Sequence, residues 1–385
     1  MITWRAGVVV SGGASWPGAV EMQVELEGEP VGGLPADGRV RALAYPQLVG
    51  EPRVGDRVLL NVSALARGLG TGGYAMVVAL GDRVPADPPA GPGHLVKARY
   101  TALQATVLGV DDQESEHHEL LRDADDLAGL PVVVADLHSA LPAVVAGARH
   151  SAAVHGRPAP RVVYVMTDGG ALPAWFSRTV AGLRDAGWIE ACVTTGQAFG
   201  GDLEAVTVHT GLLAARLVAG ADLVVVAQGP GNLGTGTRWG FSGVAAGEAV
   251  NAAGVLGGRA VASLRVSGAD ARERHLGISH HSTTAYGRVA LSPADVVVPG
   301  LAAAGAGLDE LDDRVRTQAR ALGAPAGRHR LVDVPTRPDL LEALRGTPVR
   351  LSTMGRGLGG DPASFLAVAA AGVHAERLAA GSASA

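Results

Sequence analysis

The sequence predicts an α/β protein, in which a small N-terminal β-barrel or sandwich precedes a largely parallel, doubly wound α/β domain. Three observations carry this. Short β-rich runs broken by Gly and Pro fill residues 1–80, a stiff Pro/Gly segment follows at 84–93, and beyond it apolar strand-like runs alternate with helical stretches. The expected division is a β-rich domain at 1–82, a linker at 83–94 and an α/β domain at 95–385. Hydrophobic residues make up 47% of the chain but aromatic ones only 4%, so the core must come from Ala, Val and Leu, which suits close helix-on-sheet packing.

In the first domain, strands are expected at 7–10, 20–26, 39–44, 57–62 and 74–79, each rich in β-branched residues and bounded by turn formers such as Gly55-Asp56. In the second, strands are expected at 101–110, 131–135, 161–166, 190–194, 222–227, 260–266, 295–298, 329–334 and 349–353. Helices are expected between them at 116–127, 174–186, 203–219, 242–256 and 308–322. A last helix, 362–380, has the clearest start: Asp361 can accept from the free N–H groups of its first turn, and Pro362 loses nothing at the first helical position.

The net charge of −5 argues against a general nucleic-acid binder. Lys97 is the one lysine; the excess of Arg goes with the Ala- and Gly-rich composition and is not evidence of anion recognition. Cys192 is the one cysteine, which excludes an intramolecular disulfide and multi-cysteine zinc sites, and its apolar surroundings predict a buried small side chain. The N-terminus lacks the pattern of a secretory signal, and no apolar run is long enough to span a bilayer, so a cytoplasmic protein is expected.

The most informative stretch is 224–237, where a β-branched run stops at a loop carrying Gly229, Gly231, Gly234 and Gly236 and a helical segment follows. Glycine lets a ligand approach the backbone, and peptide N–H groups before a helix start attract anions. Gly229, Gly231, Asn232, Gly234 and Thr235 are therefore candidate ligand-binding residues, with Arg356, from the glycine loop at 354–360, as a fixed positive charge. Polar loops after the other strands add Asp136, His138 and Ser139 to the binding set and Asp168 as a catalytic candidate, since ligands of open parallel sheets bind beyond the strands' carboxyl ends. The stretch 270–283 holds three His, two Arg, a Glu and an Asp; His280 and His281 are candidate general acids or bases, and His275 could join Asp202 and Glu204 around a divalent metal. The glycine loop matches neither the P-loop nor the dinucleotide fingerprint, so ATP hydrolysis and nicotinamide hydride transfer are weak readings.

The phrases at 136–142, 166–169, 199–205, 228–237 and 277–281 together resemble a bacterial protein family known as domain of unknown function 3866. The resemblance implies that they belong to one family pattern, and it implies no activity, substrate or cofactor. Two readings follow from the residues. In the first, the α/β domain binds a small anionic molecule, phosphorylated or nucleotide-like, at the carboxyl edge of its sheet, with metal-dependent hydrolysis as one form of it. In the second, the chain is a non-catalytic module for regulation or for binding nucleic acid or protein. Self-association through the barrel is compatible with either, and no membrane is involved.

Overall fold

The computed structural model describes residues 2–29, 32–305, 307–323 and 327–382. By contact density the chain divides into two compact units, Met1–Pro92 with Val96–Thr106 and Gly93–Leu95 with Val107–Ala385.

In the first unit β1 (Trp4–Trp16), β2 (Ala19–Leu26), β3 (Arg39–Ala44), β4 (Arg57–Asn61) and β5 (Ala75–Leu80) form a closed barrel in the order β1-β2-β3-β5-β4. Of the two alternatives in the sequence reading, it is the barrel that forms. All pairs are antiparallel except β3 with β5, and β1 reaches both β2 and β4 by bending at bulges between Val9 and Ser11 and between Gly12 and Ser15. At Gly7 a Cβ would lie 2.6 Å from Val24 Cγ1 and 2.7 Å from the Glu25 carbonyl, so the curled strand needs glycine there. Val9, Met22, Val24, Val40, Val58, Leu60 and Val77 fill the interior. The strand expected at 101–110 shrinks to β7 (Ala105–Val107), paired with β6 (Leu95–Lys97), because positive φ values at Ala98 (49°) and Tyr100 (60°) turn the chain.

The second unit is built on β8 (Pro131–Val134), β9 (Val162–Thr167), β10 (Ala191–Thr194), β11 (Leu203–Glu204), β12 (Leu223–Gln228) and β13 (Arg259–Ser263). Two short strands, β14 (Val266–Ser267) and β15 (Gly277–Ile278), pair outside the sheet, and β16 (Asp295–Gly300) and β17 (Arg330–Pro335) complete it. All neighbours in the order β11-β10-β9-β12-β8-β13-β16-β17 are parallel. β8 and β12 are buried along their whole length, which is why they read as unbroken Val runs rather than as alternating patterns.

From β8 the chain winds outward through β9 to β11, returns to β12, then crosses to β13, β16 and β17. The winding reverses beside β8, and right-handed crossovers in opposite directions put the helices Leu141–Val154 and Ala245–Val255 on opposite faces. The crevice beyond the carboxyl end of β8 is therefore the switch point where open α/β sheets bind ligands. On one face Leu141–Val154 and the helix Pro362–Ser382 touch backbone to backbone: a Cβ on Gly147 would collide with the Ala369 carbonyl and one on Gly372 with the Val144 carbonyl.

Several expected elements differ locally. The helix expected at 116–127 is a single turn, His118–Leu121, and that at 174–186 is the helix Arg178–Asp185 behind a 3-10 turn, capped by Ser177, whose hydroxyl accepts from Val180 N at 3.0 Å. Within 203–219, Leu203–Glu204 pair with Val193–Thr194 as an edge strand, and the helix begins at Val208, after the Thr207 cap. The strand expected at 349–353 is instead β18 (Ser352–Thr353), in a hairpin with β19 (Arg356–Gly357) outside the main sheet.

Candidate functional site

At the switch point β8 runs through Ala135 into Asp136, whose carboxylate is 4% exposed. Two side chains face it: Arg265 at 3.5 Å and His281 Nδ1 at 3.4 Å, while Arg265 Nη1 lies 3.0 Å from the same Nδ1. Burial alone would raise the Asp136 carboxyl, but His281 and Arg265 outweigh it and hold the group below the ordinary carboxylate value. Phe241 stacks flat on the His281 ring, 3.8 Å between centroids and 3° between planes.

Local sequence explains how His281 arrives there. Gly277 adopts a φ of 71°, in a place where a Cβ would meet the Gln318 side chain. Ser279 then caps the short helix His280–Thr284 by accepting from His281 N at 3.2 Å, and Ser279 Oγ also lies 2.8 Å from His275 Nδ1. The imidazoles of His275, His280 and His281 converge, with one ring nitrogen of each within 4.8 Å of the others. Burial, reinforced by neighbouring cations, pushes His275 down to about 3 and His280 down to about 4, so both are neutral at pH 7. The helix continues as a π-turn, Ala285–Val289, a geometry often found at functional sites. There Tyr286 is buried and donates to the Val134 carbonyl at 2.7 Å, tying the turn to β8.

Beside this cluster opens a cavity of about 920 Å³ lined by Arg238, Trp239, Arg274, His280, Arg288 and Arg328 among others, with no carboxylate in its wall. Arg328 donates to the Ala290 carbonyl at 2.9 Å. Among the described residues, Arg238, Arg274 and Arg288 have no ion-pair partner, although most other arginines pair with Asp or Glu.

The structure brings Asp136, His275, His280 and His281 together, gathers His138, Ser139, Gly231 and Asn232 in the lining of a second cavity of about 300 Å³, and places the other candidates apart. Ser139 and Arg356 line a small neighbouring cavity of about 30 Å³ that Asp136 and His275 also line. Arg356 already has carboxylate neighbours, Asp270 at 3.2 Å and Asp361 at 3.4 Å, so its charge is compensated. Asp361 itself accepts from Ser267 Oγ (2.5 Å), Gly268 N (3.1 Å) and Ser364 Oγ (2.8 Å), joining the last helix to the Ser267 loop instead of capping its own first-turn amides. His138 is structural: Nδ1 lies 3.0 Å from Tyr164 Oη and Nε2 2.7 Å from Ser177 Oγ, and burial pushes it down to about 4. Asp168 accepts from Gln197 N at 2.8 Å as a loop latch.

The expected metal set of Asp202, Glu204 and His275 is not assembled. Asp202 pairs with Arg184 (3.0 Å) and Cys192 N (2.8 Å), and Glu204 with Thr194 Oγ1 (2.7 Å) and Gly200 N (2.6 Å), at the β10–β11 edge, whereas His275 follows β13 on the other side of β8. The glycine loop also has structural duties. A Cβ on Gly229 would collide with the Ala171 carbonyl, and Asn232 Oδ1 accepts from Gln228 Nε2 (3.2 Å) and Ser242 Oγ (3.1 Å). Thr235 N donates to Gly240 at 2.7 Å, and Gly234 bridges to Phe241, so the loop is a hairpin-like excursion. Gly231 and Gly236 take positive φ (101° and 79°) with open space around them, and Gly236 lines the cationic cavity.

Sequence reasoning missed Arg265, Phe241, Arg238 and Arg288. Arg265 did carry a signal, a lone charge inside the mostly apolar run 260–266, and Arg288 carried none. Cys192 is buried, as its apolar run implied. No helix among the described residues is long and apolar enough to cross a membrane.

No curated protein and no solved structure matches the chain. One family model does, over residues 41–372, from the third barrel strand into the last helix and across every residue of the site just described. The chain therefore belongs to the family described as protein of unknown function DUF3866.

Proposed function

We propose that this protein binds a small anionic molecule, phosphorylated or nucleotide-like, in the cationic cavity beside the Asp136–His281 cluster. One observation carries the reading: Arg238, Arg274 and Arg288 share a cavity wall with no carboxylate and no ion-pair partner among the described residues. Gathering guanidinium groups without counter-charge is unfavourable on an otherwise acidic protein, and a bound anion relieves the repulsion. Guanidinium forks also match phosphate oxygens in pairs. Trp239, 55% exposed at the same wall, offers a flat face on which a ring of the ligand can stack. The volume, about 920 Å³, falls within the range of small-molecule sites.

The test is a calorimetric titration of the full chain with pyrophosphate and with ADP, in EDTA so that metals play no part. Saturable binding is expected, with Arg288→Ala weakening it about 10- to 100-fold, the range for a charge-assisted hydrogen bond. Arg345→Ala, paired with Glu342 and outside the cavity, serves as the control. Absence of saturable heat for both anions, or equal affinity in the Arg288→Ala and control proteins, overturns the reading.

A further inference from the structure

We propose that His275, His280 and His281 form a three-histidine site for a divalent transition metal of the zinc class, open toward the cationic cavity. Geometry is the first argument. A tetrahedral ion with Zn–N bonds of about 2.0–2.1 Å places its imidazole centroids about 5 Å apart. The three rings here have centroid separations of 4.9 Å (His275–His280), 5.1 Å (His275–His281) and 4.4 Å (His280–His281). They are inclined at 53°, 86° and 68° rather than stacked, so their edges can turn toward a common point.

The surroundings of the rings are the second argument. His275 Nδ1 meets Ser279 Oγ, and His281 Nδ1 faces the Asp136 carboxylate at 3.4 Å, an acceptor for its N–H, while among the described residues no hydrogen-bond partner occupies Nε2 of any of the three. An acceptor on one ring nitrogen with the other left free, as in His275 and His281, is how proteins orient metal-bound histidines. Access is the third. His280 lines the cationic cavity and His275 the smaller cavity beside Asp136, which leaves a side of the cluster uncovered for a fourth ligand. Three neutral nitrogen donors without a ligating thiolate or carboxylate favour zinc, cobalt, nickel or copper over magnesium and calcium. The nearby arginines oppose a dication; the Asp136 carboxylate and an anionic fourth ligand offset them.

Cobalt(II) is the probe, added to untagged, chelator-stripped full chain in phosphate-free buffer, so that the outcome does not depend on the anion reading. One equivalent is expected to bind and to give the intense visible bands of four- or five-coordinate cobalt, and zinc is expected to displace it. His280→Ala is expected to lose at least about 100-fold in affinity, beyond the 10- to 100-fold usual for an outer-shell partner. Circular dichroism checks the fold, and His275→Asn provides a second ligand deletion if the first variant misfolds. Failure of the wild-type chain to take up stoichiometric cobalt, or uptake with unchanged affinity and spectrum in the folded variants, overturns the proposal.

Discussion

Asp136 and His138 are two positions apart yet serve different ends, because one side chain enters the crevice and the other turns into the core. Asp136 holds the partly exposed Arg265 in place; Asp136→Ala leaves that guanidinium without its carboxylate and is expected to cost about 3 kcal/mol, the lower end for a broken buried pair, in urea unfolding. For His138 the prediction concerns pH. Its folded-state value, about 4, lies below the ordinary 6.5, so the unfolded chain takes up a proton first as pH falls. Its contribution is complete above pH 6.5 and is lost as pH drops toward 4, by up to about 3 kcal/mol. His275 and His280 are shifted in the same direction. Denaturant unfolding across this range should therefore show destabilisation well before the carboxylates titrate, and His138→Asn should reduce it; a flat stability between pH 6.5 and 4 contradicts the assignment. Asp136, His280 and His281 were legible in the sequence because each is a polar residue at the end of an apolar strand or in a run dense in His, Arg and acidic residues, a run that the structure partly buries at His275 and His281. The unpaired state of Arg238 and Arg288 was not legible, since lacking a partner is a property of space and not of spacing.

At the scale of elements, the alternating apolar runs made the sheet legible strand by strand, whereas short pieces escaped. Leu203–Glu204 reads as the start of a helix until its pairing with β10 is known, and Ser352–Thr353 reads as sheet until the hairpin is seen. Gly147 and Gly372 looked like ordinary glycines in Ala-rich helices, yet each marks the point where one helix backbone lies on the other. Gly147→Ala should therefore destabilise, although in an isolated helix it would stabilise. Thermal unfolding is expected to show a loss at the upper end of the 1–3 kcal/mol typical of overpacking, because a carbonyl in a helix cannot step aside. A neutral or stabilising result would mean that the helices lie farther apart.

At the scale of the molecule, the barrel and the sheet have separate apolar cores, and every candidate site residue belongs to the second unit. Calorimetry is expected to resolve more than one unfolding step, with a calorimetric enthalpy above the van't Hoff value. A single step with equal enthalpies contradicts that. The charge pattern is likewise uneven: a net charge of −5 coexists with a cavity wall whose Arg238, Arg274 and Arg288 have no ion-pair partner among the described residues, which the composition gave no sign of. The sequence pointed to the carboxyl edge of the sheet, and Asp136 and the histidines meet there. It put the positive charge on Arg356, which Asp270 and Asp361 compensate, whereas the uncompensated charge lies on Arg238, Arg274 and Arg288.

The most direct measurement is a crystal structure of the full chain grown with pyrophosphate. Density for the anion is expected between Arg238, Arg274 and Arg288, within reach of His280. Density only at the Gly229–Gly231 turn or at Arg356, or an empty cavity at a pyrophosphate concentration that saturates binding in solution, would contradict it.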